Sequence, residues 1–447
     1  MKHLFGTDGI RGVAGESPLD PPTVRKFGAA LAEHLEAQGC HPARVVLGRD
    51  TRESGPWLRD AVAAGFRSRG GDAVDAGVIS TPGLAYVTRG GSFDVGVMIS
   101  ASHNPFLDNG LKVFAHTGTK LPDTQEREIE ERILDPRRDD PGESGNGVAL
   151  DTSLSVDYVR YLEGVVGEGR LKGLRLVLDC ANGSASDLAP TVFRHHGAEV
   201  ATLGNSPDGR NINLDCGSLH LDGLAEHVRE GNYDLGIAFD GDADRALAVD
   251  RKGRIVDGDY ILYLCGRRLK RSGALRGNKV VATVMSNLWL ELQLADEGVS
   301  LLRAPVGDKY VLERMLEEDA VIGGEQSGHV IFLDRSTTGD GILTGLMLVD
   351  SLLDDSEKLE TVLDRIEPCP QILINVRVKE KPDLRAHPTI GPAVAEAEEA
   401  LAGTGRVVLR YSGTEPLARV MVEGTDEEPV KRYATKLAAT IEKEIGA

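Results

Sequence analysis

Three aspartates, Asp240, Asp242 and Asp244, alternate in the segment DGDADR, directly after the apolar run Leu235-Gly236-Ile237-Ala238-Phe239. Carboxylates this close repel one another unless a cation neutralises them. Their hard oxygen atoms suit Mg²⁺ or Ca²⁺. A calcium EF-hand loop carries Gly at its sixth position and Glu at its twelfth. Here those positions hold Arg245 and Arg251, so that loop is excluded, and the bland alternative is a solvated acidic turn. A second apolar run, Val95-Gly96-Val97-Met98-Ile99, ends in Ser100-Ala101-Ser102-His103-Asn104-Pro105. A hydroxyl beside an imidazole at a strand tip points to an active site, although Ser, Asn and Pro also favour plain turns. Ser102 lacks the G-x-S-x-G frame of a hydrolase nucleophile. No Gly-Lys pair occurs in the chain, which removes a Walker loop.

Two more polar segments follow apolar runs. Gly324-Glu325-Gln326-Ser327-Gly328-His329 offers a carboxylate, a hydroxyl and an imidazole. Such a set can hydrogen-bond sugar hydroxyls, or it can be a polar connection. Arg410-Tyr411-Ser412-Gly413-Thr414-Glu415-Pro416 places an arginine, hydroxyls and a glycine after an apolar strand. Glycine lets backbone N–H groups approach an anion, and arginine grips phosphate with a two-pronged fork. Arg419 adds charge downstream, and a β-turn is the alternative.

The elements that must position these groups repeat a design. Short apolar strands begin at Arg44, Arg175 and Lys279, and a second set, ending near Val97, Phe239 and Gly323, runs into the serine, aspartate and Glu325 loops. Helical patterns separate them, for instance over 22–38 and 56–69. This predicts an α/β fold of three tandem similar domains with mixed, mostly parallel sheets. In open α/β sheets ligands bind beyond the carboxyl ends of the strands, so the three loops are expected to face a central cleft. Pro-, Gly- and charge-rich segments at 136–147 and 367–370, with a weaker break at 250–259, set expected domains at 1–147, 148–253, 254–367 and 368–447. The last reads as a smaller C-terminal α+β domain, with strands in QILINVRV and RVVLRYSG and a helix in EPVKRYATKLAATIEKEI.

Composition narrows the function. The 447 residues suit about three domains at roughly 150 residues each. With 51 basic against 70 acidic residues the net charge is −19, and aromatics are 4%. Such a surface repels nucleic acid and offers few stacking platforms. No apolar run approaches the ~18 residues of a membrane span, and MKHLFGTDGIRG lacks a signal-peptide core. The reading is therefore a cytoplasmic protein with no nucleic-acid or membrane partner. Five scattered cysteines read as free thiols.

Taken together, FGTDGIRG at 5–12, ISASHNP at 99–105, DGDADR at 240–245, GGEQSGH at 323–329 and RYSGTEP at 410–416 resemble the α-D-phosphohexomutases over nearly the whole chain. GEQSGH, INLDCGSLH at 212–220 and TVMSN at 283–287 resemble the bacterial branch that interconverts glucosamine 6-phosphate and glucosamine 1-phosphate. That step feeds UDP-N-acetylglucosamine and peptidoglycan precursor synthesis.

The resemblance implies the roles. Ser102 is the phosphoserine, and Asp240, Asp242 and Asp244 are Mg²⁺ ligands, with an oxygen of phospho-Ser102 as a further one. Arg11, His103 and Lys112 surround the transferred phosphate. Arg245, Asp308, Glu325, Ser327, Arg410, Ser412, Gly413, Thr414 and Arg419 match substrate-binding positions. The implied reaction passes through a 1,6-bisphosphate, with hexose or hexosamine 1,6-bisphosphate as activator. Either His329 or Lys112 takes the sugar hydroxyl's proton. The partner is an amino sugar phosphate. Oligomeric state stays open, dimers being common in this branch, and the C-terminal domain could open and close during turnover. Competing readings are a phosphomannomutase or phosphoglucomutase, a metal-dependent sugar phosphatase, and a non-catalytic sugar-phosphate sensor.

Overall fold

The computed structural model of the chain describes residues 4–6, 8–142, 147–355, 357–412 and 415–447. They divide into two compact units, Met1–Thr283 with Ala304–Glu360 and Val284–Arg303 with Thr361–Ala447.

In the first unit one device recurs three times. A buried strand runs into a polar loop, and the chain returns antiparallel to it. Val95–Ile99 returns as Asp108–Ala115, Leu235–Phe239 as Ala246–Asp250, and Ile322–Gly324 as Val330–Phe332. Each outgoing strand lies parallel to an earlier one: Arg44–Arg49, Arg175–Asp179 and Lys279–Thr283. Parallel neighbours end at the same sheet edge, so each polar loop lies beside the end of a second strand. The sheets are mixed, with parallel pairs inside and antiparallel returns outside. An N-terminal hairpin, Phe5–Gly6 with Gly9–Val13, extends the first sheet by pairing with Asp108–Ala115 and sets Arg11 opposite Gly110.

Alternation decides what each strand face meets. Val45, Leu47, Val95, Val97 and Ile99 share a core with helices Pro21–Ala37, Gly55–Arg67 and Asp123–Leu134. Val46 and Met98 point the other way, to Leu84, Ala85 and Val87 of helix Thr81–Gly90. Strands buried on both faces read as continuous apolar runs, which is why they were visible in the sequence. Helices 21–37 and 55–67 cover the expected spans at 22–38 and 56–69. They cross where a side chain on Gly65 would come within 1.9 Å of the Arg25 carbonyl, and one on Gly28 within 2.1 Å of the Val62 carbonyl.

The helix Gly341–Asp354 starts beneath the aspartate loop, with the Gly341 N–H bonded to the Ala243 carbonyl at 2.9 Å. Asp340 caps it by accepting from Leu343 N at 3.0 Å and takes the Tyr158 hydroxyl at 2.8 Å. Burial pushes the Asp340 carboxyl up to about 6, against the capping N–H and the tyrosine.

The second unit has an antiparallel sheet in the order Gln371–Arg377, Leu417–Gly424, Gly405–Tyr411, backed by helices Ile390–Ala400 and Glu427–Ile445. Segment 284–303 belongs with it through a buried polar cluster. Glu423 is fully buried and accepts from Arg406, from Gln371 at 3.1 Å and from Leu288 N at 3.2 Å. Among the described residues no helix is long and apolar enough to cross a membrane. All five cysteines are free.

Two stability outcomes follow. Gly65→Ala should lower the unfolding free energy by about 1–3 kcal/mol or more in urea titration, because backbone rather than a side-chain tip blocks the added methyl. Asp340→Asn keeps a capping oxygen and removes a titration. A carboxyl raised in the folded state favours folding below its unfolded value of 3.8 and loses that contribution as pH climbs through about 6. The stability of Asp340→Asn relative to the parent should therefore improve between pH 4 and 7, by on the order of 2–3 kcal/mol, and level off above. A flat difference would show that Asp340 ionises normally.

Candidate functional site

Ser102 sits at the tip of its strand with φ 51°, in the left-handed region. Such a backbone costs about 1–2 kcal/mol in a non-glycine residue and persists only when its surroundings hold it. The holding group is Arg52, fully buried beneath the loop. Its guanidinium donates to the carbonyls of Ser102 and Asn104, both at 2.9 Å, and of Pro105 at 2.6 Å. Asp50 anchors Arg52 at 2.9 Å and also takes the Ser100 hydroxyl, whose oxygen accepts from Ser102 N at 2.9 Å. From the second sheet's side, the Asn213 amide donates to the same Ser102 and Asn104 carbonyls at 2.9 and 3.1 Å.

The backbone so fixed aims the Ser102 hydroxyl at Asp240, with a 2.5 Å bond to Oδ2. His103 Nδ1 lies 3.3 Å from the same oxygen. Burial, then the charges of Arg245 and Arg11, lower the His103 imidazole to about 4, so at neutral pH it is an uncharged hydrogen-bonding group.

Oxygens of Asp240, Asp242 and Asp244 lie within 4.8 Å of one another, all buried. Their partners divide cleanly. Asp240 uses Oδ2 for Ser102 and Oδ1 for the Arg245 N–H at 3.2 Å. Asp242 uses Oδ2 for Lys112 Nζ at 2.8 Å and the Thr81 hydroxyl at 2.5 Å. Oδ1 of Asp242 and Oδ1 of Asp244 are buried without a hydrogen-bond partner. Orphaned buried carboxylate oxygens are costly, and two from one acidic cluster fit a hard divalent cation such as Mg²⁺. Burial and the charges of Asp244 and Asp242 hold the Asp240 carboxyl well above its ordinary range. For Asp242 burial acts the same way, but Lys112 outweighs it and the carboxyl is lowered.

Lys112 begins a chain of alternating charge. Its ammonium lies 2.8 Å from Asp242, 3.5 Å from Asp244 and 3.2 Å from Asp8. Burial alone would depress it, yet these carboxylates raise it above the ordinary lysine value. Asp8 in turn takes Arg11 and Lys120, and Lys120 reaches Asp308 at 2.6 Å. Asp308 stands 3.9 Å from His329 Nε2, too far for a hydrogen bond. His329 is buried, and neither ring nitrogen has a hydrogen-bond partner. Arg11 is oriented by the Ala101 carbonyl at 3.1 Å, beside Ser102. Glu325 accepts from Gly307 N at 3.1 Å and from the Ser327 hydroxyl at 3.4 Å.

In the second unit Arg410 and Arg419 are direct cross-strand partners. Burial, then the charge of Arg419, lowers Arg410. Ser412 is buried, and its oxygen accepts from Glu415 N at 3.3 Å. Lys381 donates to the Ser412 carbonyl at 2.7 Å. Gly413 and Thr414, expected in the same loop, lie outside the described residues.

The first unit thus brings together Ser102, His103, Arg11, Lys112, the three aspartates and Arg245, and the charge chain leads on to Asp308 and His329. Asp8, Asp50, Arg52, Thr81, Lys120 and Asn213 did not emerge from the sequence reading. Asp8 and Asp50 had a weak signal, lying in FGTDGIRG and at the polar end of the strand at 44–50. Thr81 and Lys120 had none.

All four parts of one family description match the chain, that of phosphoglucomutase/phosphomannomutase. Domain I covers residues 2–139, domain II 157–253, domain III 257–369 and the C-terminal domain 373–440. The phosphoglucosamine mutase of Solibacter usitatus is 49% identical over 445 residues, covering 100% of this chain and 99% of the relative. That of Deinococcus radiodurans is 48% identical, covering 99% and 98%. Among solved structures, a phosphoglucomutase/phosphomannomutase family protein from Burkholderia thailandensis matches with a TM-score of 0.79 at 26% identity over 98% of this chain and 97% of its own. The N-acetylphosphoglucosamine mutase of Aspergillus fumigatus, solved with GlcNAc-6P and magnesium, matches with a TM-score of 0.67 at 17% identity over 98% and 95%, a likeness of fold.

Lys112→Met would leave the Asp242 carboxylate buried without its cation. We expect a loss of about 3–5 kcal/mol in chelator, with Mg²⁺ restoring more stability to the variant than to the parent in parallel thermal melts. Equal melting of variant and parent in chelator would mean that Asp242 carries no charge there.

Proposed function

We propose that this chain, which belongs to the phosphoglucomutase/phosphomannomutase family and has phosphoglucosamine mutases as full-length relatives, interconverts glucosamine 6-phosphate and glucosamine 1-phosphate through a phosphorylated Ser102. The observation that carries the reading is the Ser102 hydroxyl, fixed by a strained backbone and bonded to a buried cluster of three aspartates.

Phospho-Ser102 would transfer its phosphoryl group to the free sugar hydroxyl. The sugar oxygen–phosphorus bond forms, the serine oxygen–phosphorus bond breaks, the hydroxyl proton leaves to a base, and the released serine oxygen takes up a proton to regain its hydroxyl. The product is a 1,6-bisphosphate. After it turns over, its other phosphoryl group returns to Ser102. Phosphoryl transfer asks mainly for positioning and charge stabilisation. Arg11 and Lys112 would meet the transferring oxygens. His329 is the better base on geometry, because its nitrogens are free while Lys112 is engaged by three carboxylates. Asp240, Asp242 and Asp244 would hold Mg²⁺ together with an oxygen of phospho-Ser102; when bound, the ion supplies Lewis-acid stabilisation of phosphoryl oxygens. Glu325 and Ser327 would bind sugar hydroxyls. Arg410, Ser412, Gly413, Thr414 and Arg419 would seat the phosphate that is not reacting. A hexose or hexosamine 1,6-bisphosphate would load the serine.

A ³¹P NMR time course tests this with Mg²⁺, a trace of hexose 1,6-bisphosphate and glucosamine, glucose or mannose 6-phosphate in separate tubes. We expect the glucosamine ester to convert fastest, and Ser102→Ala to lose the conversion by at least about 10³-fold. Preference for glucose or mannose would make the chain a phosphoglucomutase or phosphomannomutase. Release of inorganic phosphate would make it a phosphatase, and silence with loaded protein a sensor.

A further inference from the structure

The Gln326 side chain does not extend from its loop beside Glu325 and Ser327. Its amide turns back and donates to Asp257 Oδ2 at 3.1 Å, while the Gln326 carbonyl accepts from Gly258 N at 3.0 Å. Asp257 is the N-cap of helix Gly258–Arg271, its other oxygen accepting from Asp259 N and Tyr260 N at 3.0 and 3.2 Å. One carboxylate therefore holds both a helix start and the loop. The contact is tight, since a side chain on Gly258 would lie 2.0 Å from the Glu325 carbonyl. Two residues on, the Gly328 carbonyl accepts from Ala246 N at 3.1 Å, and Ala246 directly follows the aspartate loop and Arg245. The Glu325 loop is thus pinned at one end to a helix start and at the other to the return strand of the second sheet.

We propose that Asp257, Gly258 and Gln326 form a clasp that sets the position of Glu325 and Ser327 toward the sugar, so that Gln326 is a positioning residue for sugar binding and touches no substrate. The inference rests on the sugar-binding role proposed above for Glu325 and Ser327. Loss of the amide bond leaves one oxygen of Asp257 unpaired and frees the loop between its backbone anchors. The weight falls on KM, because neither Ser102 nor the aspartates contact the clasp.

The experiment is steady-state kinetics of Gln326→Leu, Gln326→Asn and Asp257→Asn with the preferred sugar phosphate, alongside the Mg²⁺ concentration for half-maximal rate. The leucine removes the donor, and the shorter asparagine fails to reach Asp257. Both should raise KM about 5- to 30-fold, the effect of one lost hydrogen bond to a carboxylate, with kcat and the Mg²⁺ requirement within about twofold of the parent. Asp257→Asn can still cap the helix and pair with the Gln326 carbonyl oxygen, so it should restore KM to within about threefold of the parent. If the leucine variant does not fold, the asparagine variant decides. Parental KM in the folded variants would overturn the proposal, as would a loss confined to kcat or to Mg²⁺ response. Failure of the parent on every sugar phosphate would instead overturn the mutase reading, and calorimetric binding of glucosamine 6-phosphate would then separate the variants.

Discussion

Three buried carboxylates within 4.8 Å of one another are the constraint on which the rest of the first unit depends. Left alone they would expel one another or take up protons. The chain answers with Lys112, which lies on the return strand of the first sheet while the aspartates lie on a loop of the second. That ammonium, with the Thr81 hydroxyl on Asp242 and the Asn213 amide on the Ser102 loop, commits the two sheets to one arrangement. Its burial then demands balance on its other side. Asp8 supplies it from the N-terminal hairpin, Lys120 balances Asp8, and Asp308 from the third sheet's side balances Lys120. Charge neutrality in a low-dielectric interior thus acts as a docking rule among three repeated domains.

The Ser102 loop follows a different logic. Its backbone is held in a costly conformation by hydrogen bonds to carbonyls, from Arg52 below and Asn213 across. A guanidinium offers five donors in a fixed plane, so one side chain can hold three carbonyls and Asp50 at once, one bond more than the three donors of a lysine allow. Asp50 neutralises it and also orders Ser100, whose oxygen fixes the Ser102 N–H. The Ser102 hydroxyl is then left to face Asp240.

Much of this was legible because the signals are local. An apolar run with a polar tip is readable in a window of ten residues, and it occurred three times. The helices at 21–37 and 55–67 announced themselves by period and by proline near their starts. The return strands were less visible, because Asp108–Ala115 and Ala246–Asp250 follow polar loops without a clear break. The partners of the site were hardest. Thr81 meets Asp242 across 161 residues and Lys112 meets it across 130. Nothing near Thr81 or Lys120 in sequence marks them, since their pairing is created by the docking of whole domains. Gln326 shows the opposite case, a residue visible as part of a motif whose side chain turns away from the groups beside it.

The two cationic groups of the proposed mechanism differ in a way that fits their tasks. In the first unit Arg11 and Lys112 are bound to carboxylates before any substrate arrives. A phosphoryl group in transfer changes its charge distribution along the path, and cations already held in place need not reorganise to meet it. In the second unit Arg410 stands opposite Arg419, partly buried and without an ion pair of its own among the described residues. Two like charges across a strand pair destabilise it, and an anion between them removes that penalty on binding. Arg419 also faces Glu415 at 3.5 Å, so Arg410 is the cation of this seat that a stationary phosphate would compensate. The net charge of −19 sharpens the distinction, since an anionic substrate must overcome the mean field of the chain and be met by cations gathered locally.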